Sequence, residues 1–398
     1  MVISRRSLLL AGAAIPASAY GQCVTDRFTV DACRGGVRGS SGPPGQTLDL
    51  NFMFPGTLDP RITFTRASSA TYTDASGVIQ TAATNAPRWD YDPVTHALRG
   101  LLIEEQRTNN LLWSTDFGNA VWVEYAGAIK GAAVTGPDAA SSGRTVTLPN
   151  GGQIYQLVTI GIRTFMSVYA RARSLNQFAI RFSDGTVSAA LPLTAQWRRF
   201  VVAAPVTAAN VAFTTVGADA GTMDLAMPQL EIGDFGPTSY IPTTSAAVTR
   251  AADVATMPTN VSWYNATTYS LMCEMFNLER TDPVSCGISL PSDFSNAAFF
   301  GSQYWQTAGV VTGSAGVLTL NTVSKMCGTL NTATKFIKVA VNGQIGTGNA
   351  LTTTPAAGSL LSIGSAPWDV SGQLGGHIRR INYWNRVLSD TEMQQVTT

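Results

Sequence analysis

Residues 164–182 read TFMSVYARARSLNQFAIRF, and the side chains in both halves of this stretch alternate between two faces. Phe178, Ile180 and Phe182 fall on one face of an extended chain, whereas Ala179 and Arg181 fall on the other. A period of two is typical of a β-strand that has one buried face. The stretch therefore predicts strands that each contribute one face to an apolar core.

Similar strand patterns follow this stretch, with no amphipathic helix between them. They recur at intervals of roughly ten residues, which is the spacing of strands in a sandwich or jelly roll. The segments are residues 197–204, 210–217 and 222–233. They predict a first β-sandwich.

A second strand series begins after residues 236–242, GPTSYIP, which interrupt the first series. Its clearest strands are residues 269–277, 316–323, 335–341, 359–364 and 377–385. Asn342-Gly343 predicts a hairpin, because both residues accept positive φ. Ser389 and Glu392 have the spacing of a capping box and predict a short C-terminal helix. The predicted fold class is all-β, with two β-sandwich (jelly-roll) domains after an irregular N-terminal segment.

The composition agrees with a folded β-protein and narrows its partners. Of the 398 residues only 13% are charged, and 8 Trp, 11 Tyr and 16 Phe argue against disorder. The net charge of +1 gives no broad attraction to nucleic acid or anionic lipid, so no nucleic-acid partner is expected. A polar, weakly charged surface suits a neutral partner such as a sugar.

Residues 1–22 have the pattern of an export signal. Arg5 and Arg6 form a basic start, residues 8–15 are apolar, and residues 17–19, ASA, have the form of a cleavage site. The apolar run is far shorter than the ~20 residues of a spanning helix, so no membrane span is expected in the mature chain. The paired arginines favour the twin-arginine route. The alternatives are an ordinary secretory signal and an apolar anchor.

Three parts of the sequence carry a family resemblance. They are FTRASSATY (64–72) with GLLIEEQRTN (100–109), QLEIG (229–233) with TSYIPT (238–243) and VTRAAD (248–253), and GGHIRRINYWNRVLSDTE (375–392). The first resembles the segment before the sugar-binding-like modules of modular phage or prophage tail-fibre and head-spike proteins. The second resembles the end of a carbohydrate-binding-module-like jelly roll. The third resembles the last strand and helix of a concanavalin A-like, laminin-G-like lectin domain.

The resemblance implies a modular chain. Its parts would be the export signal (1–22), a Gly/Ser/Pro linker (23–46), an N-terminal β attachment segment (47–114), the jelly roll (115–250) and the concanavalin A-like/laminin-G-like sandwich (251–398). Four charged residues of the first motif would form an ion-pair cluster that braces the module. They are Arg66, Glu104, Glu105 and Arg107, and exposed pairs of this kind contribute only ~0–1 kcal/mol each.

The resemblance also implies a function. We expect a phage-type structural surface protein, a tail fibre or head spike, that binds a cell-surface polysaccharide or other glycan without catalysis. Other virion proteins would be partners, the chain would form a homo-oligomer such as a trimer, and it would be virion-associated, secreted or periplasmic. Two alternatives are an exported glycan-degrading enzyme, similar to glycoside hydrolases, and a purely structural virion protein.

The carboxylates do not form a recognisable catalytic pair. Glu104 and Glu105 are adjacent, so in a strand their side chains point to opposite faces. Glycosidases instead hold two carboxylates ~5–9.5 Å apart across the substrate. Glu274 and Glu279 lack the ExDxxE-type spacing of concanavalin A-like glucanases. We therefore assign no catalytic residue.

The histidines and cysteines give equally little evidence of a catalytic or metal-binding site. His96 and His377 are the two histidines, no GxSxG elbow is present, and no two of the five cysteines form a CxxC pair. We predict no metal site and no cofactor. The laminin-G-like resemblance adds one alternative, a calcium ion at Asp369.

Loop aromatics are the predicted carbohydrate-binding residues, because aromatic faces stack on pyranose rings while polar loop groups fix the hydroxyls. Tyr304, Trp305 and Trp368 are the aromatic candidates, and Asp369 is the polar one. The alternative is that Trp305 and Trp368 close the ends of the sandwich as core side chains.

Overall fold

The computed structural model describes residues 42–204, 207–233, 236–260, 262–277, 286–289, 298–301, 304–314, 316–365 and 372–398. The described residues from 44 to 398 belong to one compact unit. The predicted export signal (1–22) and most of the linker (23–46) lie outside the described residues. Within the ranges given above, no helix has the length and apolar character needed to cross a membrane.

Seven short strands precede residue 115. They are β1 (Gln46–Asn51), β2 (Thr63–Thr65), β3 (Ala70–Thr73), β4 (Ile79–Ala82), β5 (Trp89–Tyr91), β6 (Leu98–Ile103) and β7 (Arg107–Asn109). Only β3 and β4 form a hairpin of their own, with Ala70 paired to Ala82 and Thr73 to Ile79. Except for β5 with β6, the others find their partners far along the chain.

Ten strands then form the first sandwich. They are β8 (Val123–Tyr125), β9 (Ile129–Val134), β10 (Gly143–Leu148), β11 (Gln153–Ile160), β12 (Thr164–Ala172), β13 (Gln177–Phe182), β14 (Leu191–Pro192), β15 (Arg198–Ala203), β16 (Ala208–Thr214) and β17 (Gly221–Ile232). One sheet has the order β15-β12-β17-β10-β9 and the other β14-β13-β16-β11-β8. Strands that follow one another mostly change sheet, which is the arrangement of a jelly roll and confirms that prediction.

The remaining strands and the helix follow the jelly roll. They are β18 (Val248–Arg250), β19 (Val254–Pro258), β20 (Thr268–Asn277), β21 (Cys286–Ser289), β22 (Ala298–Phe300), β23 (Tyr304–Thr307), β24 (Val310–Gly313), β25 (Val323–Asn331), β26 (Phe336–Val341), β27 (Gln344–Ile345), β28 (Asn349–Ala350), β29 (Leu360–Ile363), β30 (Gly376–Trp384) and α1 (Asp390–Thr397). The predicted hairpin and helix are confirmed: Asn342 and Gly343 have φ of 45° and 77° between β26 and β27, and Ser389 and Glu392 form the capping box.

The second sandwich consists of a nine-stranded and a seven-stranded sheet. The larger has the order β27-β26-β25-β20-β30-β6-β5, with β1 also paired to β30 and β28 to β26. The smaller has the order β2-β19-β29-β21-β22-β23-β24. The all-β fold with multiple sandwich-like sheets confirms the predicted fold class.

The N-terminal strands are part of this second sandwich, unlike the separate attachment segment expected at 47–114. Strands β1, β2, β5 and β6 all belong to its two sheets. Leu48, Leu50, Leu101 and Ile103 are buried in its core. The physical reason is that strands of three to six residues are not stable alone and must bury their apolar face against another sheet.

Candidate functional site

Trp305, a predicted glycan-binding residue, lies in the core of the second sandwich. Its exposed fraction is 0%, and its ring centroid lies 4.7 Å from that of Phe300. Gly328, on the facing sheet, makes room for the indole, because a Cβ added there would lie 2.4 Å from the ring. Trp305 therefore matches the alternative of a core residue, and its ring has no surface with which to meet a sugar.

The other three predicted site residues are described incompletely or not at all. The backbone of Tyr304 pairs with Gly313 across β23 and β24, but its side chain lies outside the described part of the chain. Trp368 and Asp369 also lie outside it. Their proposed contact with a glycan, and the calcium alternative at Asp369, stay predictions.

Two of the titratable residues weighed as catalytic groups are engaged inside the second sandwich. Glu274 accepts a hydrogen bond of 2.7 Å from Nε of Arg379. His377 is fully buried, and its Nε2 lies 3.0 Å from Oδ2 of Asp90. Glu279 lies outside the described residues. Glu274 on β20 thus pairs with the adjacent strand β30, whereas His377 on β30 contacts Asp90 on β5, with β6 between those two strands.

Five charged side chains form a buried ion cluster where the N-terminal strands meet the start of the second sandwich. The members are Arg66, Arg88, Glu104, Arg250 and Asp253, and each is at most 2% exposed. Arg88 joins both carboxylates, at 2.8 Å from Glu104 and 2.5 Å from Asp253. Arg66 lies 3.0 Å from Asp253, and Arg250 lies 3.5 Å from Glu104.

Backbone groups complete the buried ion cluster, which contains one more cation than anions. The guanidinium groups donate to carbonyl oxygens at 2.6–2.9 Å, namely those of Ser68, Ala83, Thr71 and Glu105. The amide of Ser239, in the segment that leaves the jelly roll, donates to Glu104 at 2.6 Å. The cluster thus links the N-terminal strands, the end of the jelly roll and the second sandwich.

The pKa of Glu104 reflects these contacts. Burial by itself raises the pKa, but Arg250, Arg88 and the hydrogen bonds from Ser239 outweigh it and hold the pKa well below its usual range. For Arg88, burial by itself lowers the pKa, but Asp253 and Glu104 raise it by more, and the net pKa lies above the usual value. Both groups are therefore charged at neutral pH.

The predicted ion-pair cluster is thus present in altered form. Arg66 and Glu104 belong to the buried ion cluster, but they are joined through Asp253 and Arg88 and not directly. Glu105 and Arg107 form a separate ion pair. Because these side chains are buried, the small energies of exposed pairs do not apply to them.

The two sheets of the jelly roll differ on their outer faces. The hairpin of β3 and β4 covers part of the first sheet, where Ile79 packs with Ala226, Met227 and Tyr240. On the second sheet Tyr125 stays 57% exposed and Leu157 71% exposed. This second outer face is open to solvent.

Four residues lie in line or diagonally on this open face. Tyr155 is paired with Ala212, and Ala212 is paired with Arg181 on the next strand. Since neighbouring strands lie ~4.8 Å apart, the tyrosine and the arginine stand about 10 Å apart across a small alanine. Tyr125 pairs with Gln153, which places it diagonal to Tyr155 on the same face.

A cleft of about 290 Å³ adjoins these residues and shares Arg181 with them. Buried Ala179 and Thr214 are paired at its base, and Val187 and Ser188 line it from the following segment. Its size is near the lower limit of ligand pockets, about 300 Å³. We refer to Tyr125, Tyr155, Ala212 and Arg181, together with this cleft, as the Tyr155 face.

Sequence reasoning missed the Tyr155 face, although one signal was available. In β11 the buried positions are Ile154, Gln156 and Ile160, so the alternation puts Tyr155 on the outer side. A large aromatic at an outward position is a stronger sign of binding than a tryptophan in a short strand. Its neighbours Ala212 and Arg181 come from other strands, and their placement needs the sheet order.

Metal binding has no support among the side chains described. Within that part of the chain, no three His, Cys, Asp or Glu residues are placed to hold a metal ion. The described free cysteines, Cys273 and Cys327, are both buried.

Comparisons with known proteins give only distant structural similarity. No protein-family model and no curated protein matches the chain. A solved Ruminococcus gnavus sialidase module, CBM40 bound to α2,3-sialyllactose, is 14% identical with a TM-score of 0.27, covering 33% of this chain and 83% of that one. A leech intramolecular trans-sialidase is 14% identical with a TM-score of 0.27, covering 33% of this chain and 23% of that one.

A Trypanosoma rangeli sialidase is similar to the same degree, at 14% identity and a TM-score of 0.28. The match covers 35% of this chain, and it spans only 25% of the sialidase. TM-scores this far below 0.5 do not transfer an activity from these proteins to this chain.

The prediction of a phage-type structural surface protein is wrong. The similar solved structures named above are a carbohydrate-binding module and sialidases, and phage tail-fibre identity is not supported. The β-sandwich part of the resemblance is retained.

Proposed function

We propose that this chain recognises glycans by non-covalent binding and that the Tyr155 face is its binding surface. The observation that carries the proposal is an open sheet face on which two tyrosines stand beside a cleft. Tyr125 is 57% exposed, and Tyr155 is half-buried. Aromatic rings supply rigid apolar area to the faces of sugar rings, at little cost in conformational entropy.

Small residues lie between the larger side chains of the Tyr155 face. Ala212 and Ala179 are each 1% exposed. Ala212 lies between Tyr155 and Arg181 on neighbouring strands. A sugar bound against the exposed part of Tyr155 would lie about two strand spacings from Arg181, whose long side chain can reach towards it. Arg181 can give up to five hydrogen bonds to hydroxyl or acidic oxygens.

A glycan array probed with the full chain tests this proposal, followed by titration calorimetry on the best ligand. We expect Tyr155→Ala to weaken binding about tenfold, equivalent to about 1.4 kcal/mol. Tyr91→Ala is the matched control, because Tyr91 is a half-buried tyrosine at the edge of the other sandwich. An array with no bound glycan, or equal affinity of wild type and Tyr155→Ala, would contradict the proposal.

The same samples separate binding from degradation. Glycosidases place two carboxylates ~5–9.5 Å apart about the scissile bond, whereas no aspartate or glutamate is among the described residues that line the cleft. We therefore expect no new reducing ends when a bound glycan is incubated with the protein. Release of reducing ends that is lost in Tyr155→Ala would instead favour an exported glycan-degrading enzyme.

A further inference from the structure

Arg181 has no acidic partner among the described residues, unlike several other arginines of the jelly roll. Arg144 pairs with Asp116 at 3.1 Å, and Arg171 pairs with Asp224 at 2.7 Å. Arg181 is exposed, and no carboxylate of the described chain lies within ion-pair distance of it.

The surroundings of Arg181 leave its charge uncompensated. The described lining of the cleft is apolar or carries hydroxyls, which are already engaged with the protein. Thr214 Oγ1 donates to the carbonyl of Gly152 at 3.0 Å, and Ser188 Oγ donates to the carbonyl of Ala189 at 2.8 Å. Arg181 is therefore the dominant polar group offered to a ligand here.

We infer that the glycan bound at the Tyr155 face is acidic and that its carboxylate or sulfate group binds Arg181. This inference rests on the proposed function and narrows its ligand class. A planar guanidinium matches two oxygens of a carboxylate or sulfate, and such charge-assisted hydrogen bonds are about twice as strong as neutral ones. The net charge of +1 makes this a local preference and not a general attraction to polyanions.

The ligand class also corrects an expectation from composition, which favoured a neutral sugar. Composition averages over the whole surface, whereas binding depends on the charges within one Debye length, about 10 Å at 0.1 M salt. Within the cleft, that local charge is positive.

Three probes, two of which form a matched pair, test the inference on the full chain. Calorimetry compares tri-galacturonic acid, the same trisaccharide with its carboxylates reduced to alcohols, and a sulfated dextran oligosaccharide. We expect the carboxylated or the sulfated probe to bind at least about tenfold more tightly than the reduced one. The ratio of affinities for tri-galacturonic acid and its reduced form reports on the carboxylate, and binding of the sulfated probe reports on sulfate.

Two arginine variants locate the effect. Arg181→Gln should remove the preference for the acidic probe, whereas Arg198→Gln should retain it. Arg198 is the matched control because it is also exposed and also has no ion pair within the described residues, but it lies in β15 of the other sheet. Arg181→Lys keeps the charge without the planar fork and should retain only part of the preference.

The outcomes distinguish the inference from the proposed function. Equal binding of the acidic and reduced probes, still weakened by Tyr155→Ala, would overturn the inference and leave the proposed function intact. Equal losses in Arg181→Gln and Arg198→Gln would also overturn it, since the effect would then be unspecific. Failure of every probe to bind would count against both.

Discussion

Arg88 and Arg181 show two opposite uses of a guanidinium in one chain. Arg88 has no exposed side-chain surface and lies between Glu104 and Asp253. Arg181 is exposed at a cleft and has no carboxylate partner among the described residues. Burying a charge is unfavourable unless partners compensate it. The buried ion cluster therefore holds structure together, and the Tyr155 face leaves its charge free for a ligand.

The contrast between Arg88 and Arg181 indicates which kind of charged residue can bind a ligand in a β-protein with few charged residues. Motif-like charged residues such as Arg66, Glu104 and Asp253 belong to the buried ion cluster, where they join segments far apart in sequence. The candidate ligand-binding charge belongs instead to an ordinary-looking strand. A distinctive sequence motif here marks assembly of the fold and not the ligand.

Among the variants that test this contrast, Arg88→Met should lower the free energy of unfolding the most. This change leaves Glu104 and Asp253 buried without their shared cation, which typically costs about 3–5 kcal/mol of unfolding free energy. Arg181→Met is the matched control and should change the unfolding free energy by less than about 0.5 kcal/mol. Guanidinium titrations of the two variants measure both values. Equal losses would show that the two arginines have the same structural role.

A change of pH should have an intermediate effect on the free energy of unfolding. The folded-state pKa of Glu104 is lowered, so its contribution to stability is present above the unfolded pKa of about 4.3 and is lost as the pH falls below it. One carboxyl changes the unfolding free energy by at most about 1.4 kcal/mol per pH unit. Denaturant titrations between pH 7 and pH 3 measure this slope.

Two variants show which carboxyl group produces this pH dependence. Glu104→Gln should be less stable than wild type at pH 7 and should show a smaller slope below pH 4, because its amide does not titrate. Glu124→Gln controls for the loss of one exposed glutamate and should keep the slope of wild type. A Glu104→Gln protein with an unchanged slope would assign the acid sensitivity to other carboxyls.

Much of the fold could be predicted from the sequence because period-two alternation is a local signal. Phe178, Ile180 and Phe182 are all buried, as the alternation requires. The placement of β1 could not be predicted, since it pairs Leu50 with Ile381, more than 300 positions away. Pairing over such distances depends on the tertiary core and leaves no trace in a short window.

The candidate site was harder to predict for a related reason. Trp305 has the local sequence pattern of a loop aromatic. Its ring nevertheless lies in the core, because Gly328 on the facing sheet leaves room for it. Arg181 has the local signature of a solvated strand residue, and only the register with Ala212 places it opposite Tyr155. In both cases the deciding neighbour comes from a distant strand.

The smallest effect is expected at an exposed ion pair, which sharpens the contrast between exposed and buried charge. Asp49 on β1 accepts hydrogen bonds from Nε of Arg380, at 2.8 Å, and from Asn382 on β30. The side chains of Asp49 and Arg380 are 42% and 36% exposed. Asp49→Asn should therefore cost no more than about 1 kcal/mol of unfolding free energy at low salt.

Salt then separates this pair from the buried ion cluster. At 1 M salt the screening length falls to ~3 Å, so the exposed pair contributes little and the difference between Asp49→Asn and wild type should shrink. The loss in Arg88→Met should persist, because counterions do not enter the core around Glu104 and Asp253. Denaturant titrations of both variants at 0.1 M and 1 M salt measure the two responses. A salt-sensitive Arg88→Met would mean that the cluster is reached by solvent, and the contrast with the Tyr155 face would then be one of degree.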